Sequence, residues 1–160
     1  MVELQLPYGR ETLTFGVPTA NLIGCFAPHA AASAPDPARE IARALAAPVS
    51  APTLVELARG ARDVIIVADD GTRLTPTDLI IPLLLEALNG AGVPDDAIQV
   101  LVALGTHRKM TEPEIGLKFG SEVTRRVPVI NHEAFDSHEL VDLGATPSGV
   151  PVQLNRRLLD

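Results

Sequence analysis

Two short apolar runs constrain this chain more than any other feature. Asp63-Val64-Ile65-Ile66-Val67-Ala68 and Ile98 to Leu104 hold no charge beyond Asp63, and neither alternates with polar residues. A strand with one wet face alternates; the first run therefore reads as a strand buried on both faces, as in the centre of a parallel sheet. Between the two runs, Thr75-Pro76 opens a helix that reaches Asn89-Gly90, with Leu79, Ile80, Leu83, Leu84 and Leu88 as its buried stripe and Asn89-Gly90 as a left-handed stop. After the second run, Thr111-Glu112-Pro113-Glu114 has the Thr cap, first-turn Pro and reciprocal Glu of a helix start, and that helix is expected to end near Phe119-Gly120. Val127 to Asn131 reads as a third strand. Strand, helix, strand, helix, strand with right-handed crossovers predicts an α/β fold, a mostly parallel sheet flanked by helices, with Asp63–Ala68 and Ile98–Leu104 as parallel neighbours.

The flanks read differently. Val2 to Leu6 and Glu11 to Phe15 alternate around Pro7-Tyr8-Gly9-Arg10, the pattern of a β-hairpin. Gly16 to Pro35 has no period and is expected to be a loop. Asp36-Pro37 starts a helix that Pro48 stops, and Pro52 to Arg59 is a second, short one. Leu140 to Leu143 and Val150 to Leu154 flank Thr146-Pro147-Ser148-Gly149 as a C-terminal hairpin. At 160 residues the chain suits one domain, residues 1–160, and nothing in Arg156 to Asp160 signals a close, so a longer protein is expected.

Composition excludes several function classes. With 46% apolar and 21% charged residues the balance is globular rather than disordered. A net charge of -7 argues against a nucleic-acid partner, whose phosphates call for a basic face. No apolar run approaches the roughly 20 residues that span a bilayer, and Met1-Val2-Glu3-Leu4 lacks the basic start of a signal peptide, so no membrane partner is expected. Cys25 is the single cysteine, which forbids an internal disulfide and suits a reducing cytoplasm.

The reactive side chains gather at two strand ends. Asp69, Asp70, Thr72 and Arg73 follow the first run; Thr106, His107 and Arg108 follow the second. In an open parallel sheet, ligands bind beyond the carboxyl ends of the strands; neighbouring strands lie about 5 Å apart, so the two clusters would share one pocket. Gly71 permits a sharp turn, Thr72 and Thr75 offer hydroxyls, Asp70 can accept from sugar hydroxyls, and Arg73 can grip a carboxylate or phosphate with two parallel hydrogen bonds. The bland reading is a turn in which Asp caps the helix and Arg73 pairs with Asp69 or Asp78. His107, with an ordinary pKa of about 6.5, suits a base taking a hydroxyl proton; its bland reading is a loop histidine held by hydrogen bonds. His132 and His138 are not at metal-ligand spacing, and no Cys pair, HExxH, GxGxxG or GxxxxGK[ST] occurs, so no metal ligand is assigned. Cys25 reads as a packed small residue. Lys109 and Lys118, on or beside an acidic helix, read as solvated.

These residues resemble a known family. Val64 to Pro76 is similar to the D-D-x-T-R-x-x-P segment of lactate racemases, and Gly105 to Glu114 to their G-x-H-R-x-M-T-x-x-E segment, followed as there by Lys118-Phe119-Gly120. The N-terminal hairpin and the Asn131-His132 strand end also fit, and the resemblance covers essentially the whole chain. It implies a racemase or epimerase of lactate or a related 2-hydroxy acid, using a nickel-pincer nucleotide that holds nickel through sulfur and carbon and is attached to a lysine. Hydride would leave the substrate carbon and return to its other face while a histidine on each face handles the hydroxyl proton. By match, His107 is one such base, Arg73 holds the substrate carboxylate, and Asp70 with Thr72 contacts the cofactor's ribose and phosphate. The family's anchoring lysine, second histidine and nickel-ligating histidine have no counterpart in residues 1–160. The resemblance thus implies an N-terminal part, inactive by itself, with no cofactor bound to it alone. A non-catalytic domain that binds a small anion at the same strand ends is the alternative.

Overall fold

The computed structural model describes residues 1–30 and 32–159. The chain folds as two compact units, Met1–Ala34 and Pro35–Asp160. In the first unit, β1 (Val2–Tyr8) and β2 (Glu11–Val17) pair antiparallel from Val2↔Val17 to Tyr8↔Glu11. Both strands run two residues beyond the alternating stretch. Pro7 is tolerated because a two-stranded ribbon has only edges, and the turn shrinks to Gly9-Arg10, with Gly9 at φ 62. Thr19–Asn21 forms a 3-10 turn inside the expected loop.

In the second unit, α1 (Pro37–Ala46) starts where expected, its Arg39 amide donating to the Asp36 side chain at 3.0 Å. α2 (Leu54–Ala58) is opened by a reciprocal Thr53–Glu56 cap. β3 (Val64–Ala68), β4 (Ile98–Val102) and β5 (Val129–Asn131) form one parallel sheet in the order β3-β4-β5. The register runs Val64↔Ile98 to Ala68↔Val102 and Val100↔Val129 to Val102↔Asn131. The two apolar runs are therefore parallel neighbours, and the fold is the α/β arrangement expected. One expectation fails: β4, not β3, is central among the described residues. β3 is an edge strand with Val67 54% exposed, whereas Val100 and Val102 are fully buried. An apolar run reports low polarity and says nothing of how many neighbours a strand has.

α3 (Thr77–Gly90) contains Pro82 and buries Thr77, Ile81, Leu85 and Leu88. The stripe is thus rotated from the expected one: Leu88 is shared, while Leu79, Ile80, Leu83 and Leu84 are half-buried. Apolar residues cover almost every face of this helix, so its period could not single out the core side. Nor is Asn89-Gly90 the left-handed stop; the positive φ belongs to Gly92, at 93°. The Asn89 amide instead donates to Val93 O at 2.9 Å and to Asp95, and its oxygen accepts from Arg126 at 2.6 Å, tying the ends of two helices.

α4 (Glu112–Arg126) starts with the expected Thr111–Glu114 cap but runs past Gly120, where it kinks at φ 79, ψ 156. A Cβ at Gly120 would lie 3.4 Å from the Asp78 Cβ, so glycine serves both the kink and the close approach of α3. Phe119 and Val123, on either side, are fully buried. Burying such side chains contributes roughly 1.5–3 kcal/mol each, which holds α4 on the sheet despite its break. β6 (Leu140–Ala145) and β7 (Pro151–Asn155) form the expected antiparallel pair, with a bulge between Asp142 and Ala145. No helix among the described residues is long and apolar enough to cross a membrane.

Candidate functional site

Two turns deliver the reactive side chains to the carboxyl ends of β3 and β4. After β3, the Arg73 amide donates to Asp70 O at 3.2 Å and the Thr72 amide to Asp70 Oδ1 at 3.0 Å, a turn that an aspartate builds with its own side chain. Gly71 keeps out of the left-handed region, so this turn rests on Asp70 rather than on glycine. After β4, the His107 amide closes a turn onto Leu104 O at 3.0 Å, with Gly105 at φ 57 in its second position. A residue with a Cβ would be strained there, and the turn is what lifts His107 over the β3 end.

The two turns meet through one short contact. His107 Nδ1 lies 2.6 Å from Asp70 Oδ2, while the Thr72 hydroxyl donates to Asp70 Oδ1 at 2.5 Å. Asp70 is 5% exposed. The Thr72 hydroxyl, then His107, hold its carboxyl down at about 2 against the opposing effect of burial.

Asp69 takes a separate route. Burial raises its carboxyl, but the Thr75 hydroxyl at 2.5 Å and the Lys118 ammonium overcome that and leave it below the ordinary value. Lys118 is a correction to the sequence reading: its side chain is 9% exposed, not solvated. Nζ donates to Arg73 O at 2.8 Å and Thr75 O at 3.0 Å and pairs with Asp69 Oδ1 at 3.0 Å. The signal was present, since Lys118 follows Ile115 by three residues on the buried side of α4.

Arg108 is committed elsewhere, with two hydrogen bonds to Glu114 at 2.9 and 2.7 Å. That guanidinium, followed by the Thr111 amide and hydroxyl, brings the Glu114 carboxyl to about 2. Lys109 pairs with Glu133 and stays in solvent. Arg73 pairs with neither Asp69 nor Asp78; among the described residues its guanidinium has no side-chain partner, and only its backbone is held, the amide by Asp70 O and the carbonyl by Lys118. Asn131, at the end of β5, grips the Met110 backbone at both ends, accepting from its amide at 3.0 Å and donating to its carbonyl at 2.9 Å. Thr106 is exposed. His132 bonds Asn155 at 3.1 Å, away from this group. Cys25 is exposed rather than packed.

Asp70 and His107 stand between two pockets. One, of about 340 Å³, is bordered by Asp69, Thr72, Arg73, Gly105 and Thr106. The other, of about 620 Å³, is bordered by Gly71, Arg108, Met110, Glu114, Leu117 and Lys118. Residues 8–160 match the model of the lactate racemase N-terminal domain. The chain belongs to that family. It is 32% identical over 158 residues to a lactate racemase of Lactiplantibacillus plantarum and 28% identical to one of Thermoanaerobacterium thermosaccharolyticum. In each case the match covers 98% of this chain and 37% of the relative, so the chain spans little more than a third of their length. The solved lactate racemase apoprotein of the latter organism superposes over 99% of this chain and 37% of its own, with a TM-score of 0.80 at 27% identity. A Thermotoga maritima protein of known structure matches 77% of this chain and 31% of its own, with a TM-score of 0.58 at 26% identity.

For this member of the lactate racemase family, then, the sequence brings His107, Asp70, Thr72 and Arg73 to one strand-end cleft, and the fold adds Lys118 and Asn131 as supports. No three His, Cys, Asp or Glu side chains gather as a metal cluster among the described residues.

Proposed function

We propose that this chain is the N-terminal part of a cytoplasmic racemase or epimerase acting on a lactate-like 2-hydroxy acid, and that residues 1–160 do not turn over substrate by themselves. The observation that carries the reading is a histidine at the strand ends, anchored on one ring nitrogen and open on the other, in the same cleft as an uncommitted arginine.

His107 is the base in this reading. With Nδ1 against Asp70, Nε2 is the nitrogen that accepts the substrate hydroxyl proton and returns it after inversion. The Asp70 carboxylate sits where positive charge develops on the ring. Arg73 binds the substrate carboxylate through its planar fork, which fixes the hydroxyl-bearing carbon relative to His107. The family resemblance supplies the remaining component, a nickel-pincer nucleotide. By the resemblance, Thr72 and Asp70 would contact its phosphate and hydroxyl-bearing portion; the Thr72 amide and hydroxyl both donate to Asp70, so the Thr72 oxygen is left to accept from a sugar hydroxyl, and Asp70 has its oxygens turned inward. When bound, that group would accept hydride from the substrate carbon and give it back.

The test uses the complete, cofactor-loaded enzyme. His107→Gln removes the proton acceptor and should cut turnover by at least about 100-fold in one or both directions. Arg73→Lys replaces a fork with a point charge and should raise KM more than it lowers kcat. Both are assayed with several 2-hydroxy acids after confirming equal cofactor content. Racemisation by His107→Gln at close to the parent rate in both directions would refute the assignment.

A further inference from the structure

The Asp70 carboxylate has three polar contacts among the described residues, and all are internal. Oδ1 accepts the Thr72 amide at 3.0 Å and hydroxyl at 2.5 Å, and Oδ2 faces His107 Nδ1 at 2.6 Å. A carboxylate this buried is costly unless its oxygens are satisfied, and here they are. It is also ionised at neutral pH, with its carboxyl held at about 2. An ionised carboxylate only accepts; the contact with His107 therefore requires the proton to sit on Nδ1. In a neutral ring this leaves Nε2 as the lone pair. The two Thr72 donors prevent the carboxylate from rotating, which gives Oδ2 one direction. His107, by contrast, has a side chain 58% exposed and no other side-chain hydrogen bond among the described residues. Its ring orientation depends on Asp70.

We infer that Asp70 is the positioning residue of His107: clamped by Thr72, it holds the ring in the Nδ1–H form and turns Nε2 outward, between the two pockets, as the proton acceptor. This assigns Asp70 to the histidine instead of a cofactor sugar, for which a side chain 7% exposed offers little surface. The use made of Nε2 rests on the racemase reading; the tautomer does not.

Nitrogen-15 NMR of the histidine rings in the full chain reads the tautomer directly. Over the pH range where His107 is neutral, Nδ1 is expected to carry the proton, the reverse of the form free histidine favours. Asp70→Asn should return the ring toward Nε2–H, because a carboxamide can also donate. In the complete enzyme the same substitution should lower kcat by about 100-fold or more, change KM by less than about threefold and leave cofactor content unaltered. A parent ring protonated on Nε2 overturns the inference and needs no variant, so a poorly folding Asp70→Asn cannot shield it. An unchanged tautomer in Asp70→Asn, an unchanged kcat, or a loss of cofactor content parallel to the loss of activity overturns it too. Failure of the racemase reading shows separately, as a His107→Gln enzyme that keeps its rate while the tautomer stands.

Discussion

The loops after β3 and β4 carry the same kind of cargo and are held in opposite ways. The β3 loop satisfies its two carboxylates largely with its own hydroxyls, Thr72 on Asp70 and Thr75 on Asp69. Lys118 then staples it to α4 through two of its carbonyls. The β4 loop has little internal support and is pinned from three directions: Asp70 from β3, Asn131 from β5 and Glu114 from α4. The difference teaches which side chains are left for a ligand. In the self-satisfied loop the uncommitted group is Arg73, a long cation free to follow an anion. In the borrowed loop it is one nitrogen of His107, whose direction other elements decide.

The largest effect should come from the staple. Lys118→Met keeps the length and apolar stem but strips two loop carbonyls and Asp69 of their cation, which should cost about 3 kcal/mol in urea unfolding. A cost below about 1 kcal/mol would break the contrast, showing that the β3 loop stands on its hydroxyls alone.

Acid should act on the joint between the loops. The Asp70 carboxyl is depressed to about 2 in the folded chain and lies near the ordinary 3.9 when unfolded. Its contribution is therefore complete above about pH 4 and is lost as pH falls through 2, a change of order 2 kcal/mol. Unfolding measured from pH 5 to 2 should show that limb, and Asp70→Asn should shrink it, leaving the part that Glu114, also held at about 2, contributes. A limb unchanged by the substitution would move the linkage to the other carboxylates, Glu114 first.

A smaller effect is expected at the borrowed loop. Asn131→Ala leaves the Met110 amide and carbonyl without partners, a cost of about 1–2 kcal/mol. Amide exchange should quicken around 104–111 and hold at 69–76, the β3 loop. Equal quickening in both loops would mean that they move as one body through Asp70 and His107.

What could be read along the chain was whatever depends on neighbours a few residues apart. The reciprocal Thr111–Glu114 cap, Asp36 as a helix cap, the hairpins and the three strands rest on local hydrogen bonds and local apolar patterning, and they stand where expected to within a few residues. The cluster at the strand ends was legible for the same reason, since a parallel strand must end in a loop at the cleft. Tertiary packing decided the rest. It set β3 at the edge and β4 at the centre, chose which side of an all-apolar α3 faces inward, and carried α4 through its glycine. It drew Lys118 out of solvent and brought Asp70 to His107 across 37 positions of sequence. Residue spacing reports what shares a face of one element; only the registry between elements, settled by burial of the whole core, reports which side chains meet.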